Sequence, residues 1–157
     1  MTGTTKFSLR GTPLLAAGST MDLVGKAPCL WAHLKVYSEG GENGVHAHPY
    51  EDHLFLVLAG EATFIDDAGT ETVVGVHEGM VVPRSTYYAF HSSGEGNLVL
   101  LRVGSPADSS LIEEGEQEEH LGIPASVVAR IGVQPLSADN KTGAVPGVPI
   151  PGQFFGS

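Results

Sequence analysis

Three of the seven histidines fall within eight positions, as His46, His48 and His53. His46 and His48 are two apart, so on a strand both imidazoles project from one face. A Pro49-Tyr50 turn follows, and the next strand starts near Asp52 or His53, so an antiparallel neighbour brings one of those two side chains back over the pair. Three imidazoles converging in an apolar interior are costly unless something satisfies their nitrogens. A divalent metal ion does so, and neutral imidazole suits zinc, iron, copper or nickel. A hydrogen-bonded histidine cluster is the plainer reading of the same pattern. Glu51 and Asp52 flank His53 and could orient an imidazole, or face solvent. Arg84 follows Pro83 at the lip of the same region and could meet an anionic substrate. His77 could face the cavity mouth, whereas His33 and His120 read as bystanders.

Short strands must position these groups. Segments 29–37, 44–48, 53–58, 62–65, 70–77, 80–82, 86–91 and 98–103 are bounded by turn residues, and several are rich in Val, Leu, Phe or Tyr. Ala59-Gly60, Asp66 to Gly69 and Gly94 to Asn97 read as hairpin turns. Many short strands at close spacing predict an all-β sandwich or barrel. Phe55, Val57, Phe64 and Phe90 are expected to line it. Residues 1–28 read as an N-terminal arm, 29–104 as the barrel, and 105–157 as an extension. That extension holds an acidic run over 113–119, one short helix over 124–130 and a Gly/Pro-rich arm that would lie across the barrel or a partner subunit.

The chain has 157 residues, enough for one core. Its net charge of -10 argues against nucleic acid and anionic membrane surfaces as partners. No apolar run approaches the roughly 20 residues needed to span a bilayer. Leu14 to Ala17 is too short for a secretory segment, and the lone Cys29 fits a reducing, cytoplasmic compartment, read most simply as a small buried hydrophobe.

The run GENGVHAHPYEDHLFLVLAGEATF resembles the first motif of the cupin superfamily: a glycine, His-x-His, an acidic ligand and a closing glycine. Counting back from Gly60 places His53 at the third-ligand position, with Asp52 as the competing choice. The run EGMVVPRSTYYAFHSS resembles the second motif, with Pro83 as anchor, Ser85 in place of a glycine, Tyr88 where a histidine ligand is usual and Ser92 in place of an asparagine. The resemblance implies a double-stranded β-helix (jelly-roll) barrel, with at most one or two short helices and one divalent metal per subunit on His46, His48 and His53. Iron is the expected metal, with zinc, manganese, nickel or copper as others. Three roles stay open for Tyr88: a metal ligand, a hydrogen-bond partner of a metal-bound water or oxygen species, or a space-filling phenol. If Tyr88 points inward, His91 points outward. Tyr88, Glu51 and Arg84 are the expected catalytic groups. The implied activity is an Fe(II)-type dioxygenase on a small metal-chelating molecule. A non-redox isomerase, cyclase or lyase, or a binding protein without turnover, is the alternative. A homodimer formed through the outer sheet face is the expected assembly.

Overall fold

The computed structural model describes residues 3–38, 43–106, 123–133 and 146–157. In chain order the strands are β1 (Pro13–Ala17), β2 (Ser19–Ala27), β3 (Leu30–Tyr37), β4 (Asn43–His46), β5 (Glu51–Ala59), β6 (Ala62–Ile65), β7 (Glu71–Val74), β8 (Gly79–Val82), β9 (Tyr88–Ser92) and β10 (Leu98–Pro106). One helix, α1 (Ala125–Ile131), and a last strand, β11 (Val148–Phe154), follow. A five-stranded sheet, β2-β3-β10-β5-β8, faces a four-stranded sheet, β4-β9-β6-β7, and the ladders do not join into a closed barrel. This is a double-stranded β-helix, and it is the all-β architecture that the dense turn punctuation predicts.

The inner faces hold one apolar core. Tyr37, Phe55, Val57, Phe64, Tyr88, Phe90, Leu98 and Leu100 are all buried in it. The four residues expected to line the cavity therefore do so. Strict alternation explains why: along β5 Glu51, His53, Phe55 and Val57 point in, while Leu54 is exposed. β9 obeys the same rule, with Tyr88 and Phe90 inside and Tyr87 packed on the outer cluster of Val45, Ile65, Ala89, Val127 and Ile131. His91 shares that outer face.

The segment expected as an N-terminal arm carries two strands. β2 is an edge strand paired along β3, and its Asp22, Gly25 and Lys26 hide its β character in the sequence. β1 pairs with β11, whose two prolines sit on an edge that needs no second partner. Together they cover Leu34, Val36 and Val99 on the outer face of the large sheet. The predicted short helix is present, one residue displaced, and ends on a left-handed Gly132. Cys29 corrects its expectation: it lies exposed in the β2–β3 turn, because that turn lifts it off the sheet. His120 and the acidic run lie outside the described residues.

Candidate metal centre

β4 ends on His46, and the chain continues through His48 into the turn that starts β5. His46 pairs across the small sheet with Tyr88, which puts those two side chains on one inner face. β5 brings Glu51 and His53 from the opposing sheet. All five groups are buried.

The tightest cluster is His48, Glu51 and His53, each offering one donor atom within 4.8 Å of the others. The ring centroids of His48 and His53 are 4.0 Å apart. Glu51 is the hub. Its Oε1 accepts from His53 Nε2 at 2.7 Å and lies 3.6 Å from His48 Nδ1, while its Oε2 accepts from Trp31 Nε1 at 3.0 Å. His46 stands beside this group. Its Nδ1 donates to the Gly44 carbonyl at 2.8 Å, since a carbonyl can only accept, so its Nε2 is a lone pair facing the Tyr88 hydroxyl at 3.1 Å. That hydroxyl is also 3.3 Å from His48 Nε2. Tyr88 thus sits between two imidazoles, with one proton to place.

Other sequence candidates lie elsewhere. Asp52 points to the opposite side of β5 from His53, where its carboxylate pairs with exposed Arg84 at 2.8 Å. The Arg84 hydrogen bonds hold the Asp52 carboxyl below its ordinary range. Arg84 therefore stands on the surface above the site rather than against the histidines. His77 is exposed in the β7–β8 turn.

Three inward residues carried no signal in the motif reading: Trp31, Lys35 and Arg102. Alternation could have found them, because Trp31, His33, Lys35 and Tyr37 share one face of β3, and Arg102 lies opposite His33 and Phe55. Trp31 is the link between the two groups. Its ring lies 5.2 Å from His53 and 4.8 Å from His33, and the Arg102 guanidinium stacks over it at 4.7 Å. The indole lies across Gly104, where a Cβ would come within 2.0 Å of the ring. Only glycine permits this seat.

Burial keeps His33, His48 and His53 neutral, the form in which an imidazole can ligate a metal. It lowers His53 to about 2 and His33 to about 4, with Arg102 as the next cause for each, and it pushes His48 far down as well. Folded pKa values below the free value make stability fall as pH drops. In metal-free protein the loss should begin near pH 6.5 and run through about 4 for His33, with His48 and His53 adding in the same direction. Each contributes up to about 1.4 kcal/mol per pH unit. Urea midpoints measured in EDTA at pH 7 and pH 5 test this, and equal midpoints would refute it.

The family model described as "Cupin domain" matches residues 33–104, which hold every residue of the centre except Trp31. That stretch is similar to a cupin domain. Solved structures agree with the cupin fold. The cupin domain of Schizosaccharomyces pombe Cnp3 is 19% identical with a TM-score of 0.55, over 64% of this chain and 74% of that one. KdgF from a Halomonas species is 19% identical with a TM-score of 0.53, over 60% and 84%. The Thermus thermophilus protein TT1209 is 18% identical with a TM-score of 0.52, over 57% and 84%. At such identities the likeness is one of fold. No curated protein matches the sequence. In this chain, the donor chemistry of the buried His48, Glu51 and His53 fits one divalent ion. Among the described residues no helix is long and apolar enough to cross a membrane.

Proposed function

We propose that this cupin is a metal-dependent oxidoreductase of the Fe(II) dioxygenase type, acting on a small organic molecule that chelates the metal. The donor set carries the reading. Two imidazoles and one carboxylate, all buried and within 4.8 Å of one another, are the ligand chemistry of non-haem Fe(II) oxygenases. Held there, iron would supply a redox centre with positions open to both substrate and dioxygen.

The chain's own groups then have definite tasks. Glu51 fixes the His53 ring through its Nε2 proton, which must leave before that nitrogen can ligate. Gly44 fixes the tautomer of His46, so its Nε2 stays a base toward Tyr88. The Tyr88 hydroxyl can give or take a proton between His46 and His48. Phe55, Phe64 and Phe90 form a dry wall that leaves the polar groups to orient the ligand.

That shared proton also favours a second reading, non-redox isomerase, cyclase or lyase chemistry with Tyr88 as acid or base. Nitric oxide separates the two. Protein loaded anaerobically with Fe(II) should bind nitric oxide and give the half-integer-spin EPR signal of a ferrous nitrosyl. Tyr88→Phe should retain its iron and the signal, while His48→Ala should lose both. Iron that binds without a nitrosyl signal would overturn the dioxygenase reading.

We also propose a homodimer through the outer face of the large sheet. The paired Leu54 and Val81 are both exposed there, beside Val103. Sedimentation velocity at micromolar concentration should give twice the chain mass, and Leu54→Lys should give a monomer.

A further inference from the structure

The inner face of the large sheet carries more positive charge than the metal centre needs. Lys35 and Arg102 are both buried on it, at 7% and 5% exposure, with His33 between them. Arg102 lies flat on Trp31, its Nε has no hydrogen-bond partner among the described residues, and its Nη2 reaches only the Met21 sulfur at 3.6 Å. No described carboxylate pairs with it. Glu51 is the one buried carboxylate among the described residues, and its oxygens already serve Trp31 and His53. A buried guanidinium with no counter-ion is costly to the folded chain. Such a cost is understandable where an incoming anion is the partner, and a planar guanidinium suits a planar carboxylate at two points.

We propose that Arg102, with Lys35 beside it, is a binding site for the carboxylate of a small organic acid. The Trp31 ring lies 4.7 Å from the Arg102 guanidinium and 5.2 Å from His53, which puts this seat within a small molecule's length of the metal centre. The inference thereby deepens the metal-dependent reading by naming its substrate class as carboxylates that present a second, chelating oxygen. It rests on that reading for the second attachment only, because no metal donor takes part in the anion seat. Binding to Arg102 also explains why the lining changes from aliphatic to cationic along β10, from Leu98 and Leu100 to Arg102.

Calorimetric titration of the full chain with malonate tests it, with malonamide as the uncharged analogue and inorganic phosphate as the tetrahedral anion. EDTA-treated protein should bind malonate in preference to both. Arg102→Gln should weaken malonate binding about tenfold or more, yet melt no lower than the parent without ligand, because it removes an uncompensated charge. Asp52→Ala, on the opposite face of β5, should leave malonate binding unchanged, and because malonate is titrated into EDTA-treated protein the anion seat and the metal reading fail separately. Should Arg102→Gln not fold, Lys35→Met carries the same test and the same direction. No malonate binding, phosphate bound as tightly as malonate, or unchanged affinity in these variants would overturn the proposal.

Discussion

Glu51→Ala should remove the metal and destabilise the fold in one step. The carboxylate is one of three donors in the His48, Glu51, His53 group, so its loss leaves two imidazoles, and bound metal after dialysis should fall below about a tenth of the parent's. It is also the acceptor for two buried donors, Trp31 Nε1 and His53 Nε2. Stranding both costs about 2–6 kcal/mol, taking roughly 1–3 for each buried donor left unsatisfied. Elemental analysis and urea unfolding read the two effects on one sample. The adjacent Asp52→Ala is the control. Its carboxylate faces the other way and pairs with Arg84 on an exposed surface, so it should cost less than about 1 kcal/mol and keep its metal. Metal lost from the Asp52 variant and kept by the Glu51 variant would reverse the assignment of the acidic donor.

Gly104→Ala should be nearly as damaging, although it adds a single methyl group. That methyl would lie 2.0 Å from Trp31 Cζ2 and 2.2 Å from Cε2, inside a fully buried site with no room to yield. Overpacking of this kind costs about 1–3 kcal/mol or more. Here it also tilts the indole away from Glu51 and Arg102. Metal affinity and stability should therefore drop together. Pairing the change with Trp31→Leu should recover part of the stability but not the metal affinity, a non-additivity that a double-mutant cycle measures. A Gly104→Ala protein as stable as its parent would show that the ring has another seat.

What the sequence disclosed follows from the strength of each local pattern. The hairpin turn at Gly60 and the alternation of His53, Phe55 and Val57 are strong signals, and the strands and lining they predict are present. His46 and Tyr88 come together because the same period of two governs β4 and β9, and His48 joins them just past the end of β4. Glu51 was placed at the edge of the site because motif spacing favoured position 53. The structure brings it to the centre, since it begins β5 on the same inward phase as His53. Arg102 stayed hidden for a different reason. A charged residue between apolar neighbours ordinarily faces water, and only the three-strand register across β3, β10 and β5 turns it inward. The edge strands β1, β2 and β11 were illegible because their partners, not their own composition, hold them extended.

Trp31 is the one tryptophan in the chain. Its indole nitrogen is tied to the Glu51 carboxylate and its ring is covered by the Arg102 guanidinium. Its emission therefore belongs to a single, unambiguous fluorophore whose colour and intensity register both of these contacts. An event at the carboxylate alters the indole's hydrogen bond, and an event at the guanidinium alters the charge over its face. The protein contains its own optical gauge of occupancy, readable without a label and without knowing the natural ligand.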